Sequence, residues 1–495
     1  MSQIAATRAS LYGQKTQPTG APKLQAARGI RSIRRKVLPP VSALATASTA
    51  SSKQIQEFWQ WMQQNSVVDE AKTAVQPKAL EEGAGLVSKR NLKKGETLLT
   101  IPEAVTMNYA AALKSDIGKY LEGLKPWLAV TLFLLHERNK GAASKWAPYV
   151  SLLPSALGLP MFWSEDELKE LEGTQVLEST LGYMGYAESE FEGVQEYVFG
   201  PNPSVFPPEV YNAESFLWAF GILRSRTFAP FVGESIALVP GLDLMNHNAY
   251  GVVKLERRKT GLFSGESAAA LVSVAASVEG EQVYMNYGDK NNSQLLLDYG
   301  FVETSMTAMQ GAYLLTLSIP EGDINFGDKV DIVELVGLKE QWQFNLQGQT
   351  MPDADMLTYL RLIQMQGTDS FLLESIFRDT AWNLCTLPVS LVNETAVCEC
   401  MVEGCRAALS VYPTSIGEDE QILARGDLSE RMYAAVVARQ GEKRALYSTM
   451  GYFEQRIQLL PTMEYYQERR LKDLGLLEDD GTTTYDDFFS TDDRA

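Results

Sequence analysis

The hydrophobic period of this 495-residue chain switches several times, and the order of those switches constrains its fold more than anything else in it. Between residues 83 and 101, apolar and polar residues alternate around Lys93-Lys94-Gly95, which predicts a β-hairpin. Just before it, Ile55, Phe58, Trp59 and Met62 recur at helical spacing behind a Ser51 cap. From about residue 109 to 220 the period becomes helical. Residues 127–135 read as a core helix, Ser164 and Glu167 as a capping box opening another, and residues 215–226 as a third with Phe216, Phe220 and Leu223 on one face. Strand signals return at 236–240, 271–275 and 282–287, then once more at 312–319. Amphipathic segments at 354–364, 371–385, 394–411 and 430–467 follow. The expected fold class is α+β: a β-rich unit interrupted by a helical insert, then a C-terminal all-α lobe of ordinary domain size.

Residues 1–56 contain no Asp or Glu, yet carry Arg8, Lys15, Lys23, Arg28, Arg31, Arg34, Arg35, Lys36 and Lys53 among many Ser, Thr and Ala. That composition reads as an organellar transit peptide over residues 1–50, and its hydroxyl and Pro content points to a chloroplast, with a disordered tail or a short nuclear signal as the plainer readings. Without residues 1–50 the chain has 36 basic against 62 acidic groups, so its net charge moves from −18 to −26. Such a surface repels phosphate backbones, which argues against nucleic acid as partner and favours a protein with a basic segment. The longest apolar run, 127–135, is far short of the roughly 20 residues a spanning helix needs, so no membrane segment is expected. After Leu477 comes an acidic tail, 478–495, expected to be disordered.

Two patterns invite misreading. Gly83-Ala84-Gly85 looks like part of a dinucleotide fingerprint, but a strand follows instead of a helix, and Ser88 stands where the third glycine belongs. Cys398, Cys400 and Cys405 have the spacing of a zinc site, yet no fourth cysteine follows Asn246-His247 to complete it, where Asn248, Ala249 and Tyr250 stand. Cys398, Val402, Cys405 and Leu409 recur at helical spacing, so these thiols are expected to face a core as small apolar residues, with no metal bound.

Three further segments form an ordered set: Asp243-Leu244-Met245-Asn246-His247, which holds one of only two histidines; 280–287, ending in Tyr287; and Leu297-Asp298-Tyr299-Gly300-Phe301. Taken alone, an Asn-His pair is most often a turn, and a tyrosine ending a strand is most often core. Together and in this order they resemble SET-domain lysine methyltransferases. Residues 219–226, 367–379 and 464–475 resemble, more narrowly, the plant chloroplast Rubisco large-subunit lysine methyltransferase family, over about residues 51–477.

This resemblance implies a SET domain over 51–310 with a helical insert at about 110–230, then a substrate-binding domain over 311–477. It implies S-adenosylmethionine (AdoMet) as cofactor and a stromal protein as partner, either Rubisco large subunit or fructose-bisphosphate aldolase. Glu82, Gly83, Ala84, Ser225, Asn246, His247 and Tyr299 would line the cofactor, with His247 acting largely through its backbone. Arg226, Asp243 and Tyr287 would border the lysine, with Tyr287 as the catalytic residue. The chemistry suits these residue types. Methyl transfer needs a neutral amine held in line in a water-poor channel, and a tyrosine can favour it without a carboxylate that would stabilise the ammonium. Pro230 stands where Rubisco-modifying relatives carry an arginine. A non-catalytic SET-derived binding module and a histone-type methyltransferase are the competing readings.

Overall fold

The computed structural model describes residues 50–80, 83–228, 236–260, 266–303, 311–348 and 351–477. Glu82, Pro230, the leader up to residue 49 and the acidic tail from 478 lie outside the described residues.

The chain opens with helix α1 (Ser52–Gln64), capped by Ser51 in a capping box with Gln54, and it buries Ile55, Phe58, Trp59 and Met62. Strands β1 (Val75–Leu80) and β2 (Gly83–Ser88) pair antiparallel. β3 (Thr97–Pro102) and the short β4 (Met107–Asn108) follow. The expected hairpin between residues 83 and 101 does not form. Its turn is real, with Glu96 N–H donating to the Lys93 carbonyl and Gly95 at φ +84°, but the flanking strands leave for different sheets. β2 pairs back onto β1, whereas β3 joins a strand some 170 residues on.

The helical insert contains α2 (Pro126–Lys140), α3 (Gln175–Val194) and α4 (Ala213–Arg226). Between α2 and α3, Ser164 and Glu167 close the expected capping box. α2 packs on α4, where the Trp127 and Phe220 rings meet edge to face at 5.6 Å. Beyond α4 come β5 (Thr227–Phe228), β6 (Ala237–Leu238), β7 (Val253–Thr260) and β8 (Glu266–Ser273). Two three-stranded sheets result, ordered β3-β8-β7 and β4-β6-β5, so strands from either side of the insert pair with one another. Helix α5 (Asn292–Tyr299) closes this part.

The C-terminal region is mainly helical, but it opens with a two-stranded antiparallel sheet whose strands are joined through a helix over Phe326–Leu335. The expected strand is β9 (Ala312–Ser318), and it pairs with β10 (Gln341–Gln347), which local pattern did not predict. In β10 only Phe344 and Leu346 are buried, too few to announce a strand. The principal helices of this region are α6 (Ala354–Ile363), α7 (Leu391–Leu409) and α8 (Glu430–Leu459), with shorter ones between and after them. Cys398, Val402 and Cys405 on α7 enter this core, as their spacing suggested.

One buried cluster runs from Phe58 to Met285 and a second from Tyr313 to Leu460. A third joins them: Trp163, Leu171 and Leu177 of the insert, Leu296 of α5, and Ala434, Ala435 and Ala438 of α8. Small side chains let α8 approach closely there. At Gly311 a Cβ would sit 1.8 Å from the Gly441 carbonyl oxygen on α8, so the two backbones cross with no room for a side chain. No helix among the described residues is long and apolar enough to cross a membrane.

Candidate active site

Residues 282–287 are expected to form a strand, but they make only isolated bridges because no partner runs alongside them for long. The segment begins against β2, with Ser88 N–H donating to the Glu281 carbonyl and Val283 N–H to that of Leu86, both at 2.9 Å. It then changes partner. Met285 N–H donates to the Asn246 carbonyl at 3.0 Å, Asn248 N–H to that of Met285 at 3.3 Å, and Val253 N–H to that of Tyr284 at 3.0 Å. The close approach depends on Gly251, where a Cβ would lie 2.6 Å from Asn286 N. This crossing sets Asn246-His247 beside Tyr287 across 40 residues of sequence.

Tyr287 is held at several points. Its hydroxyl donates to the Met245 carbonyl at 2.6 Å, and its ring lies 4.7 Å from that of Tyr299 and 5.0 Å from that of His247. Burial pushes its phenol well above the usual tyrosine value, so it stays protonated and neutral. His247 Nδ1 accepts the Tyr287 backbone N–H at 3.1 Å, while Nε2 lies 3.3 Å from Glu303 Oε2. Burial lowers the His247 pKa, only partly offset by Glu303, which keeps the imidazole neutral.

Tyr299 arrives at the C-terminus of α5, a helix capped by Asn291 and Gln294 and stopped by Gly300 at φ +84°. A Cβ on Gly300 would stand 2.5 Å from the Gly158 carbonyl carbon, so the insert passes directly over this turn. Asp243 lies on the other side of Met245. Its carboxylate accepts from Tyr149 OH at 3.0 Å and from Gly241 N–H at 3.2 Å, and Arg226 Nη1 stands 3.6 Å from Oδ2. Arg226 also donates to the Asp243 carbonyl at 3.1 Å. Burial pushes the Asp243 carboxyl up, and Arg226 and Tyr149 pull it back. Ser225 turns its hydroxyl onto the Gly221 carbonyl of its own helix at 2.9 Å.

Gly83 and Gly85 serve different needs. Gly83 sits at φ +113° with nothing within 4 Å of an added Cβ, so it borders open space in a backbone conformation that suits glycine. Gly85 has no such room. A Cβ there would lie 2.6 Å from Gln282 Oε1 and 2.9 Å from Asn246 Nδ2, and these two side chains hydrogen-bond to each other at 2.7 Å. The polar Asn246 amide thus stands beside a strand with an open edge at Gly83, next to Ala84. These residues fit a small zwitterion such as AdoMet, whose amino-acid end needs both donors and acceptors.

Sequence reasoning missed Tyr149, Gln282 and Glu303. Gln282 lies inside a segment already singled out, and Glu303 follows Phe301 by two residues. Tyr149 sits in the insert and carries no local signal.

A β-unit split by a helical insert, with a C-terminal segment crossing beneath an Asn-His pair to end on a half-buried tyrosine, defines a SET-domain methyltransferase that uses AdoMet. The Rubisco LSMT substrate-binding family profile matches residues 320–446. The chain is 43% identical to the chloroplastic ribulose-1,5-bisphosphate carboxylase/oxygenase large-subunit N-methyltransferase of Nicotiana tabacum, over 86% of this chain and 87% of that protein. It is 41% identical to the chloroplastic fructose-bisphosphate aldolase lysine N-methyltransferase of Arabidopsis thaliana, over 90% and 92% of the two. A crystal structure of the LSMT SET domain with lysine and AdoHcy superposes with a TM-score of 0.78 at 40% identity, covering 87% of this chain and 97% of that one. The chain belongs to the LSMT family of SET-domain protein-lysine N-methyltransferases.

Proposed function

We propose that this enzyme methylates a lysine of a chloroplast stromal protein, either Rubisco large subunit or fructose-bisphosphate aldolase, with Tyr287 as its catalytic residue. The observation that carries the reading is the hydroxyl of half-buried Tyr287: protonated, and already donating to the Met245 carbonyl. A phenol whose proton is so engaged meets an incoming amine only with its oxygen lone pairs. It accepts an N–H and turns the nitrogen lone pair along a fixed direction.

AdoMet, when bound, supplies an electrophilic methyl on a sulfonium, and Gly83, Ala84, Asn246, His247 and Tyr299 border its place. The preceding Glu82, Ser225 on α4 and the Asp243–Arg226 pair belong to the same assignment, the pair next to the lysine.

The amine must arrive without its proton, although lysine normally titrates near 10.4. Three features of the chain favour that. Tyr287, Tyr299 and His247 bring uncharged rings together there and offer an ammonium no counter-charge. Asp243 is the nearby carboxylate that would stabilise one, and Arg226 together with Tyr149 occupies it. The positive Arg226 itself repels a second cation.

Incubating the mature protein with labelled AdoMet and stromal extract, then sequencing the labelled peptide, tests the substrate. The expected product is a labelled lysine in Rubisco large subunit or aldolase; label in neither protein sinks the assignment. Fluorescent tagging of residues 1–50 tests the address, and nuclear accumulation would overturn it.

A further inference from the structure

Resting on the placement of Tyr287 just given, we infer that Glu303 and His247 are positioning residues, a carboxylate–imidazole relay that fixes the backbone of Tyr287 and so aims its hydroxyl. The relay runs through side chains, whereas the resemblance gave His247 a role through its backbone and gave Glu303 none.

Glu303 is itself held firmly. Its N–H donates to Asn292 Oδ1 at 2.8 Å, and its carbonyl accepts from Asn292 Nδ2 at 3.0 Å. Asn292 is buried in the first turn of α5, the helix whose other end delivers Tyr299. One carboxylate oxygen of Glu303 accepts the Ala249 N–H at 3.1 Å, and the other faces His247 Nε2. The His247 and Glu303 side chains are 3% and 14% exposed, so little water competes for these contacts. From one short helix, then, two routes converge on Tyr287: directly through the Tyr299 ring, and back through Asn292, Glu303 and His247.

A backbone N–H can be accepted only by an unprotonated ring nitrogen. His247 Nδ1 must therefore be bare and Nε2 must carry the proton, and a carboxylate opposite Nε2 selects that tautomer. Protonating the ring would set two donors face to face and push the Tyr287 backbone away. The charged and titratable groups facing the ring are Glu303, Lys290 and Tyr287; Glu303 favours the imidazolium, and Lys290 opposes it.

The scarcity of histidine makes the test direct. Label the full chain with ¹⁵N-histidine and record long-range proton–nitrogen spectra from pH 6 to 8. His136 is the only other histidine, and a His136→Gln variant assigns the pair of signals. His247 is expected as the neutral Nε2–H form throughout. In parallel, Glu303→Ala should lower kcat by about 10- to 100-fold, the usual result of slightly misplacing a reacting group, with KM for the protein substrate unchanged. Glu303→Gln keeps an acceptor oxygen and should restore most of the lost kcat. A His247 ring protonated on Nδ1, or a Glu303→Ala enzyme with wild-type kcat, overturns the relay. Neither outcome depends on whether Tyr287 itself is catalytic, because Tyr287→Phe tests that separately.

Discussion

The active-site crossing and the C-terminal helical lobe bury polar groups for opposite purposes. In the lobe, a buried acid at Glu394 is matched with the opposite charges of two arginines. Glu394 is fully buried on α7 and accepts from Arg361 Nε, from Arg456 Nε at 3.0 Å and from Arg456 Nη2 at 2.6 Å. Arg361 Nη1 also donates to the Cys385 and Thr386 carbonyls. At the active site the groups are driven toward neutrality: burial raises Tyr287 and Asp243 and lowers His247. A permanent charge in the lobe adds structure at no chemical cost, whereas one beside the reacting amine would set its protonation. The lobe is accordingly built for rigidity and the crossing for a particular electrostatic environment.

The contrast breaks first, and most heavily, at Glu394. Glu394→Ala leaves two guanidiniums without their shared anion and should cost about 3–5 kcal/mol of unfolding free energy, measured in urea. Methyl transfer per folded molecule should be unchanged, since the site lies in the other lobe. A proportional loss of kcat would show that the two regions are less independent than this.

Tyr287→Phe is the reverse case. Removing a hydroxyl already satisfied by Met245 should alter stability by only ~1 kcal/mol. Transfer should fall by at least about 100-fold, the scale of losing a positioned polar group in a transition state. Calorimetry should find AdoMet affinity nearly as before; wild-type turnover from this variant would falsify the assigned role.

Glu442 sits where the two regimes meet. On α8 of the lobe, its carboxylate accepts from Gln175 N–H of the insert at 3.0 Å, from Ser293 of α5 at 2.9 Å and from Tyr412 at 2.8 Å. Burial nevertheless pushes its carboxyl up to about 7. A carboxyl raised on folding favours the folded state while it is protonated. Its contribution is therefore full below the unfolded value near 4.3 and is lost as pH rises through about 7, a swing of roughly 3 kcal/mol. Between pH 5 and pH 8, wild type should lose stability relative to Glu442→Gln. An equal gap at both pH values would remove Glu442 as the titrating group at the junction.

The same contrast explains what was legible in the sequence. Helices α1, α4, α6 and α7 announce themselves through caps and periodicity, which are local properties. The turn at Lys93-Lys94-Gly95 is equally local and was read correctly, but the partners of its flanking strands are not written nearby, so the hairpin was misassigned. Asn246, His247 and Tyr287 stood out because their order resembles a known family. Tyr149 and Glu303 did not, because each matters through a partner far along the chain, Asp243 for the one and His247 for the other. Even for His247, the resemblance implies a backbone role while the fold brings the imidazole against Tyr287 N–H and Glu303.

The smallest effect is expected at Gly85. Its missing Cβ leaves space for the Asn246–Gln282 hydrogen bond, and the atoms that an alanine would meet there are the ends of side chains: Gln282 Oε1, Asn246 Nδ2 and Leu80 Cδ1. Side-chain ends can swing away, so Gly85→Ala should cost only about 1 kcal/mol in stability. The swing separates Asn246 from Gln282, however, and moves the amide that borders the cofactor. AdoMet affinity should therefore weaken by roughly tenfold, about 1.4 kcal/mol, while binding of the protein substrate is unaffected. Gly311 is the counterpart in the lobe, where the obstacle is the Gly441 backbone, which cannot swing. Alanine at 311 should thus unfold the junction before it changes any affinity. Calorimetry and melting on the two variants separate these behaviours; an unchanged AdoMet affinity in Gly85→Ala would mean that Asn246 holds its place without the glycine, and that the amide tolerates displacement as freely as the rest of the strand edge.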